Sequence, residues 1–155
     1  MKHIILILSL GAALAQAQTY SQPVRDVENE ARNAVEASCS LQWTSASGEG
    51  FCDLMTVPAA KRLAIRHVGV SCFVGPNNRV TSAHLTANLG QGNFFRPLPL
   101  STYSAPNVRF HEASLSVFYH ADPGKQVRFT GYQSGPDSTP GNCQVAISGF
   151  LVNAY

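Results

Sequence analysis

Beyond residue 37 the chain alternates short apolar segments, rich in Val, Ile, Phe, Tyr and Thr, with clusters of Gly, Pro, Asn and Asp. Segments of this length and composition, bounded by turn-forming residues, predict strands. Eight can be delimited: Ser38–Thr44, Phe51–Val57, Arg62–Val74, Arg79–Leu89, Phe94–Pro99, Val108–Tyr119, Gln126–Gln133 and Asn142–Val152. The stretches "VGPNNR", "NLGQGN", "SAPN", "ADPGK" and "SGPDSTPGN" between them carry turn chemistry. About eight strands at this spacing predict an all-β domain over residues 38–155, a single antiparallel sandwich of jelly-roll type. There is no internal repeat and no low-complexity tract.

Within Arg62–Val74 the alternation changes phase. Leu63 and Ile65 are apolar at odd positions, whereas Val68, Val70, Cys72 and Val74 are apolar at even ones. Side chains alternate strictly across a strand, so one extra residue is needed near Arg66–His67, and a β-bulge supplies it. That reading also places the basic residues Lys61, Arg62 and Arg66 toward solvent at the strand entry and the bulge, as a solvent face and not a binding patch. Upstream, Val24, Val27, Ala31, Ala34 and Val35 of "VRDVENEARNAVEA" recur at helical spacing. The lead-in, residues 18–37, therefore reads as either a short helix or an extended arm.

The N-terminus follows a different pattern. Lys2 and His3 precede 12 apolar or small residues, "IILILSLGAALA", and "AQA" (Ala15–Ala17) supplies small residues for cleavage. This is the organisation of a secretory signal peptide, residues 1–17. The apolar run is short of the about 20 residues a membrane-spanning helix needs. Cleavage after Ala17 leaves 138 residues beginning at Gln18, one domain's worth, with no later stretch able to span a membrane as a helix. The expected location is extracytoplasmic, periplasmic or extracellular. Only 13% of residues are charged, and without Lys2 there are ten basic against nine acidic residues. Such a balance gives no electrostatic reason to expect nucleic acid as a partner.

Four cysteines, all beyond the signal, suit an oxidising compartment. Three pairings can be drawn. Cys39–Cys52 with Cys72–Cys143 is favoured, the first closing two strands around a Ser/Gly turn. If Cys72 faces Cys143 across an antiparallel pair, Val68 faces Ile147, Ile65 faces Phe150 and Leu63 faces Val152, with the bulge able to shift the last two by one. A zinc site is the rival, but no C-x2-C spacing occurs.

"VPAAKRLAIRHV", Val57–Val68, resembles the "VPAGKRLVIE-V" signature of a family of small secreted bacterial β-sandwich proteins. "VRDVENEARNAV" is similar to that family's extended lead-in, and "FYHADPGKQVRFT" and "ISGFLVNAY" extend the likeness. The chain departs from the pattern at Ala60, where Gly is usual, and at Ala34, where Pro is usual. The resemblance implies a fold and a secreted location. It brings no activity and no catalytic residues.

Candidate chemistry is sparse. His67, His84, His111 and His120 show none of the spacings that set two ligands on one metal, and His84 and His111 alternate with apolar neighbours as exposed strand residues do. No G-x-S-x-G is present, and paired cysteines leave no thiol nucleophile. Asp122 and Asp137 lie in turns that offer far fewer oxygens than calcium takes. No metal, no cofactor and no catalytic residue is expected. An enzyme would need a cleft gathering at least two of His84, His111, His120 and Glu112. The positive candidate is aromatic: Trp43, beside the "TSASGEG" turn, can stack on a sugar ring or else pack as core, with Tyr103, Tyr119 and Tyr132 as further rings. The expected role is a non-catalytic extracytoplasmic binding module for a glycan or a cell-envelope ligand. The alternative is a protein-interaction or assembly module working through edges near "FFRPLPL" or "FLVNAY", its oligomeric state open.

Overall fold

A computed structural model describes residues 33–44, 47–89 and 92–154. The expected signal peptide, residues 1–17, and most of the expected lead-in lie outside the described residues. Nine strands are present: β1 (Ala34–Gln42), β2 (Gly48–Thr56), β3 (Lys61–Val74), β4 (Arg79–Leu89), β5 (Gly92–Pro97), β6 (Ser101–Ala105), β7 (Val108–Ala121), β8 (Gln126–Ser134) and β9 (Asn142–Asn153). There is no helix among the described residues, and so none long and apolar enough to cross a membrane. The end of the lead-in, Ala34–Ala37, is strand and not helix. Val35, Ala37 and Cys39 point inward on alternate positions and pack on the core, which is a strand's period and not a helix's.

Two sheets form, with strand orders β1-β9-β3-β7-β6 and β2-β8-β4-β5. The pairs β1·β9, β2·β8, β3·β7 and β4·β5 are nested antiparallel partners, as in one long ribbon. The ribbon wraps so that β9 also lies beside β3 and β8 beside β4. This is the jelly-roll arrangement of an all-β sandwich, with β6 added outside β7.

The expected bulge is in β3, where the register to both β7 and β9 shifts between Ile65 and His67. Leu63, Ile65, Val68, Val70, Cys72 and Val74 are all buried across that phase change. Val68 faces Ile147 and Cys72 faces Cys143, while beyond the bulge Ile65 meets Gly149 and Leu63 meets Leu151, one residue short of the unbulged pairing. Gly149 is required there, because a Cβ would collide with the Ala64 carbonyl oxygen.

Disulfides join Cys39 to Cys52 and Cys72 to Cys143, closing separations of 13 and 71 residues. On chain-entropy grounds the two contribute about 3 and about 4 kcal/mol. The first is not within a hairpin: β1 and β2 belong to different sheets, so Cys39–Cys52 ties the sandwich together at one edge. The second joins adjacent strands and faces the core, where both cysteines are fully buried. At the same end of the sheet, the β3–β4 turn and the β8–β9 loop are bonded to one another. The Asp137 amide donates to Asn78 Oδ1 (2.9 Å), and Asn78 Nδ2 donates to the Asp137 carbonyl (3.0 Å).

Candidate binding groove on the five-stranded sheet

The outer face of the five-stranded sheet is paved with short side chains. β1 turns Ser38 and Ser40 outward, while its alternate residues Ala37 and Cys39 pack on the core. β9 presents Gln144, Ala146 and Ser148 between buried Cys143, Val145 and Ile147. β3 presents His67, Gly69 and Ser71 between buried Val68, Val70 and Cys72. Registry aligns these residues in rows: Ser40–Gln144–Ser71–Glu112, then Ser38–Ala146–Gly69–Ser114. The result is a groove across four strands. A volume of about 720 Å³ over Ser38, Ser40, Gly69, Ser71 and Gln144 runs into one of about 480 Å³ reaching Glu36, His67 and Ser148.

Aromatic rings bound the groove at one end. Tyr103 of β6 is half-exposed and stacks on Phe110 at 4.8 Å between centroids and 12° between planes. Its hydroxyl donates to Glu112 Oε1 (2.9 Å), which also accepts from Ser71 Oγ (3.3 Å). The bond to Glu112 is the main reason the Tyr103 phenol is pushed above its ordinary pKa. At the other end Arg66 lies over Phe118 at 4.4 Å and Phe150 at 5.0 Å from the ring centroids. The neighbouring cations are likewise engaged: Lys61 Nζ donates to Asn153 Oδ1 (2.7 Å) and Arg62 Nε to Asp122 Oδ1 (3.1 Å). The basic run at the start of β3 is thus spent on local partners.

Gly69 sits in the middle of the groove floor, in the interior of a central strand. A Cβ there would meet nothing closer than His67 Nε2 at 3.9 Å. Interior strand glycines weaken a sheet and often mark a bulge, a close backbone or a place where a ligand approaches. Neither of the first two applies at Gly69, which pairs regularly with Ala146 and Ser114.

The aromatic candidates are dispersed. Trp43 is 2% exposed, and its indole N–H donates to the Gly131 carbonyl (3.2 Å). Gly50, Gly131 and Gly141 come from three separate segments to give the ring its space, and a Cβ on any of them would crowd it. A ring so enclosed has no face to offer a sugar, so the stacking role expected of Trp43 is corrected to that of core. Tyr119 faces inward, packs on the core and is covered by Arg96, 5.4 Å from its ring centroid. It is partly buried on the inner side of its sheet, the side away from the groove. Tyr132 lies on the outer face of the other sheet with His84 (5.8 Å between centroids), which in turn meets Phe95 edge-on at 5.1 Å. Burial and the adjacent Glu49 carboxylate push the Tyr132 phenol upward in pKa.

The four groups that an enzyme reading would gather lie apart. His84 is on the four-stranded sheet's outer face among aromatic rings, and burial lowers its pKa. His120 stands beside Phe118 at 4.7 Å on the other sheet. Its pKa is lowered by burial first, and by Arg62 and Arg66. His111 is not an exposed strand residue but is 3% exposed between the sheets. Its Nε2 accepts from the Val80 N–H (3.2 Å), so Nδ1 carries the proton and donates to Thr102 Oγ1 (2.9 Å). Glu112 follows His111 directly in a strand, so it points to the opposite face. Among the described residues, no three His, Cys, Asp or Glu side chains come together as a metal site would need.

The sequence carried a signal for the groove that attention to aromatic residues passes over. Strands "EASCSLQ", "HVGVSC" and "CQVAIS" place polar or small residues at their outward positions, Ser38, Ser40, Gly69, Ser71, Ala146 and Ser148 among them. Compared with known proteins, the chain matches no family model and no curated protein.

Proposed function

We propose that this chain is a secreted, non-catalytic binding module that holds a glycan of the extracytoplasmic space in the groove across its five-stranded sheet. Gly69 carries the reading: a residue that costs strand stability stands on the groove floor with no packing reason, and a bound chain lying close to the backbone supplies one. The lining suits polyhydroxylated ligands. Hydroxyls of Ser38, Ser40, Ser71 and Ser148 donate and accept, the Gln144 amide does both, and the exposed Tyr103 ring offers a stacking surface. Two disulfides fit an oxidising compartment. The hydrolase reading has less behind it. The groove carboxylates Glu36 and Glu112 stand three strands apart, roughly 14 Å by strand spacing alone, beyond the roughly 10 Å that acid/base pairs span.

Retention on insoluble polysaccharides and peptidoglycan tests the reading, using purified exported protein beside Gly69→Val and Tyr103→Ala. A valine at 69 fills the floor without touching the core and suits a strand. Wild type is expected to be retained on at least one glycan, with Gly69→Val folded but released. Undiminished retention of Gly69→Val would remove the groove from the account.

A second reading, assembly with a protein partner, is favoured by Phe51 and Phe95. They stand outward on the four-stranded sheet at 55% and 62% exposure. Sedimentation of wild type against a Phe51→Ser, Phe95→Ser double variant decides it, since self-assembly through that face predicts a concentration-dependent oligomer that the variant lacks.

A further inference from the structure

Resting on that glycan reading, we infer that the groove selects chains bearing free amino groups, of the 2-amino-2-deoxyhexose class, over neutral and over acidic ones. The inference comes from where the carboxylates stand. Six are described, and four are engaged: Asp53 by Arg128 in a two-point pair (2.6 and 3.2 Å), Asp122 by Arg62, Asp137 by Asn77, and Glu49 beside Tyr132. Of the remaining two, Glu36 lines the groove and Glu112 stands at its rim, bonded to the floor residue Ser71 and facing a neighbouring hollow with Ser101 and Ser114; neither has a cationic partner among the described residues.

Glu112 is held as a receptor for a cation. Both internal donors, Tyr103 O–H and Ser71 O–H, reach the same oxygen, Oε1. No bond within the described residues engages Oε2, which leaves it able to accept from a ligand. An ammonium on a sugar stacked against Tyr103 makes a charge-assisted hydrogen bond there, about twice as strong as a neutral one. The basic residues nearest the groove do not offset the carboxylates. Lys61 and Arg62 are bonded to Asn153 and Asp122, and Arg66, at the bulge, lies over two phenylalanine rings. A uronic or sulfated chain would bring its own anions against Glu36 and Glu112, and no lysine or arginine lines the groove to receive them, its one basic side chain being the imidazole of His67.

The test is calorimetric titration of the exported protein, near pH 6 and at low salt, with matched oligomers of glucosamine, N-acetylglucosamine, glucose and a uronic acid. The glucosamine oligomer is expected to bind about tenfold more tightly than its acetylated or neutral counterparts, a margin typical of one charge-assisted bond. Added salt should shrink that preference, and Glu112→Gln should abolish it. The Gln variant keeps an acceptor for Tyr103 and Ser71, so the fold is preserved. Equal affinity for amine and acetylated oligomers, or a preference that survives in Glu112→Gln, overturns the inference while leaving the groove as a glycan site. Binding of none of the oligomers overturns the inference and the glycan reading together.

Discussion

Trp43 shows how one residue's role is decided far from its own neighbourhood. Locally it follows a strand and precedes a Ser/Gly turn, a position as suitable for an exposed ring as for a buried one. What settles the matter is Gly50, Gly131 and Gly141, which converge from β2, β8 and the end of the β8–β9 loop to leave a space the size of an indole. Nothing in the local sequence announces that convergence. Replacing Trp43 by Ala is expected to cost about 3–5 kcal/mol, the range for emptying a large aromatic site. A chemical-denaturation midpoint will read this, and a loss below about 1 kcal/mol would contradict the packing described. Tyr103, by contrast, sits on an edge strand and holds its place by stacking on Phe110 and bonding Glu112. Its importance depends on registry between β6 and β7, which the sequence does not display.

At the scale of elements, the strands with one buried face were legible and the one without was not. β3, β4, β7, β8 and β9 each span nine or more residues with apolar side chains set on one buried face, and their expected bounds agree with those observed to within two residues. β6 has a run of four exposed residues, Ser101–Ser104, and so no apolar alternation to detect. Its attachment depends on pairing with β7 and on His111, whose ring links three strands by accepting from Val80 in β4 and donating to Thr102 in β6. That geometry requires a neutral imidazole. Burial first, and the Arg109 charge second, hold its pKa below the ordinary 6.5. His84 and His120 are displaced in the same direction. A histidine with a lowered native pKa binds its proton first in the unfolded chain. Stability is therefore full above about pH 6.5 and falls with acidity across the window between the unfolded and native values. Urea midpoints at pH 7 and pH 5 are expected to show this loss. In His111→Gln, which keeps an acceptor for Val80 without titrating, the loss should be smaller. Identical pH dependence in the two proteins would assign the acid sensitivity elsewhere.

For the whole molecule, the wrapped ribbon explains why two outer faces of different character result. One sheet turns short hydroxylated side chains outward between two aromatic ends, while the other carries Phe51, Tyr132, His84 and Phe95. The fold class followed from strand count and turn chemistry, because these are local properties. The β3·β9 pairing followed from cysteine positions and apolar registry, because a disulfide across neighbouring strands fixes both at once. The groove was harder to see. Its rows are assembled from β1, β9, β3 and β7, segments distant in sequence, and its defining residues are conspicuous only by being small.

Amide chemical-shift mapping of the purified protein, titrated with an oligosaccharide that retains it, tests the central claim most directly. The account predicts that the largest shifts fall on Ser38, Ser40, Gly69, Ser71, Ser114 and Ala146, with Tyr103 and Glu112 at the rim. Shifts concentrated on Phe51, His84, Phe95 and Tyr132, or an unperturbed spectrum at saturating ligand, would contradict it.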